Sequence, residues 1–132
     1  MHPDILLISS DRRTRSLLFA QLREEGYDVL PTALVEKALF FLDRGLQPRL
    51  ILLDVHAEDP AQTVERLLHC STAPLVVLVG GYERERVRRA PRVAVVSRPI
   101  SIGDLVQAVK HILDPPLDVR SNQAGTRPRP SE

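Results

Sequence analysis

The chain has 132 residues, a length that suits one compact domain and is short for two. Hydrophobic residues make up 43% of it, yet no apolar stretch approaches the roughly 20 residues that cross a bilayer. A single cysteine, Cys70, excludes an internal disulfide framework, and the N-terminus does not resemble a signal peptide. We therefore expect a cytoplasmic protein with no membrane span.

The net charge of +1 is unevenly distributed along the chain. Residues 1–81 carry 8 basic and 11 acidic groups, whereas 82–98 carry 6 and 2. Most of this local excess lies in the segment YERERVRRAPR (82–92), which we call the Arg-rich segment. Such a segment is typical of a solvated, charged face, and it can also form a site for an acidic protein or for nucleic acid.

Four continuous apolar runs predict strands, at 4–8, 49–55, 74–79 and 92–97. Because these runs do not alternate with polar residues, we expect both faces of each strand to be buried, as in a parallel sheet covered by helices. A further strand is predicted at 27–31.

Between the strands, apolar residues spaced three and four apart predict helices at 11–25, 35–44, 60–70 and 101–113. Asp59 and Ser101 stand at N-cap positions, and Gly26 and Gly45 at helix ends. Five strands alternating with about five helices predict an α/β fold with a doubly wound parallel sheet and helices on both faces. The periodicity stops after Asp114. We therefore expect one domain over 1–114 and a disordered Pro- and Arg-rich tail over 115–132.

Functional groups of such a sheet collect at the carboxyl ends of its strands. Ser9, Ser10 and Asp11 follow the first run, Asp54 ends the run LILLDV, and Val79 ends PLVVLV. The last strand leads into SRP, which contains Arg98 and Pro99.

These segments make the span from about residue 4 to residue 113 resemble a receiver domain of bacterial two-component response regulators. LILLDV resembles the strand that bears the phospho-accepting aspartate, and SRP resembles the lysine–proline turn of the family. The resemblance implies a flavodoxin-like sheet of order 2-1-3-4-5, with Asp54 at the acceptor position.

The resemblance also implies a degenerate phosphorylation site. Ser9 and Ser10 occupy the two acidic places, while His56 would supply the backbone carbonyl to the Mg²⁺ ion of the family. One carboxylate with two hydroxyls should hold a hard dication poorly, so Mg²⁺ binding is expected to be weak or absent, and phosphoryl transfer very slow. We expect both serines to bond local backbone and Asp11 to cap the following helix.

The switch positions of the family are altered as well. Val79 stands in place of the switch hydroxyl, Val95 in place of the switch aromatic, and Arg98 in place of the phosphate-pairing lysine. With no metal and no neighbouring acids, a bidentate pair between Arg98 and Asp54 could hold the site in one state. The spacing of His56, His69 and Cys70 matches no zinc signature, and no other cofactor is expected.

The distance from Val79 to Arg98 is short for the family, which predicts a shortened or remodelled fourth helix. The family places its dimerisation and output surface on the fourth helix, fifth strand and fifth helix, and this raises the expectation of a partner site in the Arg-rich segment. The candidate contact residues are Tyr82, Arg84, Arg86, Arg88, Arg89 and Arg92.

The favoured hypothesis is a pseudo-receiver without enzymatic activity, which binds a protein partner or a second copy independently of phosphorylation. One alternative is a working phospho-receiver that uses Asp54 by a metal-poor route. A second is a receiver-like scaffold that binds nucleic acid through residues 82–98. The second is the weaker idea, because the net charge is only +1 and the Arg-rich segment has one aromatic residue.

Overall fold

The computed structural model describes residues 2–54, 59–80, 84, 86–87 and 90–116. Within these residues the elements in chain order are β1 (Ile5–Ser9), α1 (Arg12–Glu24), β2 (Val29–Thr32), α2 (Val35–Asp43), β3 (Leu50–Asp54), α3 (Pro60–Cys70), β4 (Leu75–Val79), β5 (Val93–Ser97) and α4 (Ile102–Leu113). All strand pairs are parallel, and the sheet order is β2-β1-β3-β4-β5. The predicted doubly wound fold and strand order are confirmed.

The sheet has a hydrophobic core on each side. Helices α2 and α3 pack on one face over alternate strand residues such as Leu6, Ile51 and Val77. Helices α1 and α4 pack on the other face over the residues between them, such as Leu7 and Leu52. Every residue of β1, β3 and β4 is buried, because each side chain meets one of these two helical layers.

The last strand departs from this pattern. Residues 93–96 are half-buried and Ser97 is exposed, so the expectation that all four apolar runs would be buried on both faces is wrong for β5. Within the described residues β5 is an edge strand, and it pairs with β4 alone. An edge strand has a neighbour on one side, so less of its surface is covered.

The helix ends follow from local residues. Asp11, Asp59 and Ser101 each accept a backbone N–H from the first turn of the helix that follows, as predicted for N-caps. Gly26 and Gly45 have φ of 96° and 100° after α1 and α2, a left-handed conformation that glycine adopts without steric cost. These caps fix where each helix begins or ends relative to the sheet.

About five helices were predicted, and the described residues contain four α-helices. The expected fourth helix falls in the Arg-rich segment, where residues 82–83, 85 and 88–89 lie outside the described residues. The last predicted helix is therefore α4 in the structure. The expected tail also lies outside the described residues from residue 117 onward, and the domain boundary at 114 stays a prediction. Across the described chain, each helix is too short or too polar to span a membrane.

Candidate functional site

The carboxyl edge of the sheet brings Ser9 and Asp54 side by side. They are paired in the register of β1 and β3, and both are buried. The hydroxyl of Ser9 lies 3.1 Å from Oδ2 of Asp54 and 3.4 Å from the carbonyl oxygen of Asp11. Because a hydroxyl carries one proton and the carboxylate is the closer and charged acceptor, Ser9 donates to Asp54. The expected contact of Ser9 with local backbone is the longer one, to Asp11, and the contact with Asp54 was not predicted.

Arg98 reaches the same carboxylate from the other side. It follows β5, and its backbone N–H donates to the carbonyl oxygen of Val79 at 2.8 Å, which aligns the turn with the end of β4. Its Nη2 then donates to Oδ1 of Asp54. The Arg98–Pro99 peptide bond is cis. The hypothesised ion pair between Arg98 and Asp54 is therefore present, but through one hydrogen bond rather than in the bidentate form, since Oδ2 accepts from Ser9.

Within this ion pair, Asp54 is much less accessible to solvent than Arg98. The side chain of Asp54 is 2% exposed and that of Arg98 is 23% exposed. A buried carboxylate without a counter-charge would be very costly, so the arginine neutralises the charge that burial imposes. The carboxyl edge thus carries a closed ion pair at the position of the phospho-acceptor.

Ser10 and Asp11 follow Ser9 at the same edge of the sheet. The backbone N–H of Ser10 donates to the carbonyl oxygen of Asp54 at 3.1 Å, while its side chain faces solvent. Asp11 accepts the N–H of Thr14 at 2.8 Å and its hydroxyl at 2.6 Å, so its predicted role as a helix cap is confirmed. In the described residues, no group of three His, Cys, Asp or Glu side chains is placed to hold a metal ion.

Arg15 belongs to this edge and was not predicted. It lies one turn into α1 and is half-buried, and its Nη1 donates to the carbonyl oxygen of Ser9 at 2.8 Å. A carbonyl at a strand end has no ladder partner beyond it, so an arginine one turn above can satisfy it. Its position four residues after the Asp11 cap could have indicated this role from the sequence. The chain contains so many arginines that no single one stood out.

The two valines at the switch positions are part of the packing. Val79 is fully buried at the end of β4, and Val95 packs from β5 against the core under α2 and α3. The carbonyl oxygen of Val95 accepts from Nη1 of Arg84 at 3.0 Å. Neither side chain offers a hydrogen-bond donor toward Asp54.

A shallow cavity of about 280 Å³ opens beside the ion pair. Asp54 and Arg98 lie in its wall, and its remaining lining is largely apolar. That lining comprises Thr14, Leu78, Pro99, Ile100, Ile102 and Leu105. The solvent-facing side of Arg98 therefore borders α4.

The Arg-rich segment divides into residues with different surroundings. Arg84 is exposed and lies along β5, where Nη1 also reaches Oγ of Ser97 at 3.0 Å. Arg86 is exposed. Tyr82, Arg88, Arg89 and His56 lie outside the described residues.

Arg92 was predicted to bind a partner, but its guanidinium contacts backbone carbonyls of this domain. Its Nη1 donates to the carbonyl oxygens of Ser71 and Ala73 at 2.8 and 3.2 Å, and its Nη2 to that of Leu68 at 3.1 Å. These carbonyls belong to the end of α3 and the loop after it. Arg92 is half-buried and caps a helix, so we leave it out of the candidate surface.

No family model matches the chain. The transcriptional regulatory protein PdtaR of Mycobacterium tuberculosis is 30% identical over 111 residues, a match that covers 80% of this chain and 54% of the relative. The chain thus spans about half the length of the curated relatives that it matches.

Solved structures agree with the topology. The receiver domain of the hybrid histidine kinase CckA is 26% identical, with a TM-score of 0.65, over 86% of this chain and 100% of that one. A two-component response regulator from Clostridium difficile superposes with a TM-score of 0.70 at 20% identity, over 83% and 93% of the two chains. That second likeness shows the fold.

Sheet order, the place of Asp54 at the carboxyl edge and these similarities together define the class. The chain has the fold of a receiver domain and is similar to the receiver domains of two-component response regulators.

Proposed function

We propose that this receiver domain works independently of phosphorylation, as a binding module for a protein partner or a second copy of itself. The observation that supports the proposal is the closed state of Asp54. One oxygen of the carboxylate accepts from Arg98 and the other from Ser9, and the side chain is almost inaccessible.

The donor set argues against the metal-assisted chemistry of the family. Mg²⁺ is held by oxygen ligands, in phosphoryl-transfer sites by one or two carboxylates and the substrate phosphates. Here Asp54 is the one carboxylate among the three positions that carry acids in the family, since Ser9 and Ser10 replace the other two. The residues present therefore do not fit Mg²⁺, and a phosphoryl group would also have to displace Arg98 or Ser9.

The proposed partner surface lies on β5, the start of the Arg-rich segment and the exposed face of α4. Support comes from the exposed cations Arg84 and Arg86 next to a half-exposed edge strand. An acidic protein surface is the complementary partner, and charge complementarity acts mainly on the association rate and on specificity.

The first experiment asks whether Asp54 accepts phosphate. The full chain is incubated with a small phosphodonor and Mg²⁺, and its intact mass is measured beside Asp54→Asn. We expect no adduct in either protein. A phosphate adduct that requires Asp54 would overturn the proposal and establish a working receiver.

A restored variant supplies the positive control. Ser9→Asp with Ser10→Asp returns both acids to the carboxyl edge, and Arg98→Lys returns the ammonium. We expect the triple variant to bind Mg²⁺ in calorimetric titration, with the wild type giving no measurable heat. Equal Mg²⁺ binding by both proteins would contradict the assigned role of the serines.

The second experiment tests the surface. Arg86→Glu reverses an exposed cation, and Arg12→Glu makes the same change in the first turn of α1. Self-association is measured by sedimentation, and partners are recovered from the native host with each variant. We expect Arg86→Glu to weaken whichever association the wild type shows and Arg12→Glu to leave it intact. Equal effects of the two changes would exclude this face.

A further inference from the structure

An apolar groove of about 680 Å³ runs between α2 and α3, on the opposite side of the sheet from α1 and α4. Leu39 and Phe40 contribute its apolar surface, and Phe40 is 52% exposed. A phenyl ring left half in water at a groove wall is a place where another group can pack. Among the described residues, Asp54, Arg84, Arg86 and Arg92 are not part of the lining of this groove.

The charges around the groove are predominantly acidic. Its lining contains the three carboxylates of Glu36, Asp43 and Glu65 and a single arginine, Arg66. Arg66 donates to both oxygens of Glu36, at 2.8 and 3.1 Å, and so joins the two helices. The three carboxylates outnumber the guanidiniums of Arg66 and of Arg44, which lies over the ring of Phe40, and an acidic lining of this kind favours a cationic ligand.

The exposed ring of Phe40 already attracts a guanidinium. Arg44, one turn further along α2, lies with its central carbon 4.4 Å from the ring centre. Contacts of this kind are weakly favourable at exposed sites. An incoming arginine can therefore stack on the other side of the ring or take the place of Arg44.

The sequence contains a segment with the matching chemistry. Residues 126–130 read TRPRP, with Arg127 and Arg129 alternating with two prolines. Proline-rich sequences are recognised by grooves lined with aromatic residues, and arginine is attracted to aromatic rings. We infer that the groove between α2 and α3 binds the TRPRP segment of this same chain.

The connection to the domain is long enough. Arg49 contacts the carbonyl oxygen of Leu113 at 3.1 Å, and it also lines a second cavity that shares His69 and Cys70 with the groove. The last described residue, 116, therefore follows a helix end that contacts Arg49, and the cavity lined by Arg49 adjoins the groove. The 11 residues from 117 to 127 can span about 36 Å, against a radius of gyration of about 13 Å for a domain of this size.

Tethering makes a weak contact sufficient. Two groups joined within one chain meet at an effective concentration on the order of 1 mM, so a segment with a Kd of that order occupies the groove about half of the time. The attraction is electrostatic and exposed, and salt should weaken it. The inference does not depend on whether Asp54 is phosphorylated.

The test compares amide NMR spectra of the full chain with those of Arg127→Glu/Arg129→Glu. We expect the amide resonances of Glu36, Phe40 and Glu65 to shift in the variant, and those of the wild type to move toward the same positions in 1 M salt. Arg12→Glu/Arg13→Glu is the matched control, because it makes the same charge change on exposed residues of α1.

Three outcomes decide the matter. Groove resonances that shift with the tail substitutions and stop responding to them in a Phe40→Ser background support the inference. Groove resonances identical in the wild type and the tail variant overturn it. Shifts that grow with protein concentration overturn it too, since the occupant would then be a second copy of the chain.

Discussion

At residue scale, the environment of Asp54 determines what the domain can do. A carboxylate that is 2% exposed stays charged only if its neighbours replace the water it has lost. Arg98 replaces it with a full positive charge and Ser9 with a hydroxyl, each on its own oxygen. Ser9 at the end of β1 and Arg98 after β5 therefore act together on Asp54, whose burial would be unfavourable without them.

We expect Arg98→Ala to lower the free energy of unfolding by about 3 kcal/mol. Removing one partner of a buried ion pair leaves an uncompensated charge, and the partial exposure of Arg98 places the loss at the lower end of the known range. Ser9→Ala removes one hydrogen bond and should cost about 1 kcal/mol. Urea unfolding of the two variants measures both losses.

The same change in an Asp54→Asn background distinguishes the ion pair from general packing. With the carboxylate neutralised, Arg98→Ala should cost less than about 1 kcal/mol, because no buried charge is left without a partner. Equal losses in the two backgrounds would show that Arg98 stabilises the domain through contacts other than Asp54.

At element scale, Arg92 links the last strand to a helix on one face of the sheet. Helix ends leave carbonyls without intrahelical partners, and the guanidinium supplies donors to Leu68, Ser71 and Ala73 at the end of α3. The start of β5 is thereby held against the loop that leads into β4. This contact orders an edge strand that the core covers only in part.

We expect Arg92→Ala to destabilise the domain by about 2 kcal/mol, since three charge-assisted hydrogen bonds to backbone are lost. Arg92→Lys should recover part of that loss, because an ammonium cannot reproduce the fork of the guanidinium. Arg86→Ala is the control, and for an exposed arginine it should stay within about 0.5 kcal/mol of the wild type. Equal thermal unfolding of Arg92→Ala and Arg86→Ala would refute the capping role.

The elements that the sequence predicted are those determined by neighbours in the chain. Asp11, Asp59 and Ser101 cap their helices through N–H groups two or three residues away, and the strand runs are apolar whatever their partners. The sheet order came from the resemblance to receiver domains.

What the sequence did not predict depends on contacts between distant residues. Ser9 meets Asp54 across 45 residues and Arg92 meets Leu68 across 24, and an Arg-rich composition hides which arginines are used. The half-exposed β5 and the groove at Phe40 depend on which elements lie at the edge of the layers. Local sequence patterns do not indicate which elements lie at the edge.

At the scale of the whole molecule, one cluster ties α4 to the amino ends of the strands. The hydroxyl of Tyr27, from the turn after α1, donates to Oδ2 of Asp114 at 2.7 Å. Arg49, just before β3, contacts Asp4 at 3.3 Å and Asp114 at 3.7 Å. The end of α4 is thus held by residues from two other parts of the chain, at the end of the sheet opposite Asp54.

Burial, followed by the hydrogen bond to Asp114, raises the pKa of Tyr27 to about 12. In the unfolded chain a tyrosine ionises near pH 10, so between about pH 10 and 12 the unfolded state releases a proton that the folded state keeps. The stabilisation is complete below about pH 10 and is lost as the pH rises to about 12, with a total on the order of 2 kcal/mol. Tyr27→Phe should remove this loss, so its stability relative to the wild type should increase over that interval. Urea unfolding of the wild type and Tyr27→Phe from pH 9 to 11.5 measures this change in relative stability, and Tyr82→Phe is the control. A difference between the two proteins that stays constant with pH would mean that Tyr27 ionises equally in the folded and unfolded states. Its proton would then not hold α4 in place.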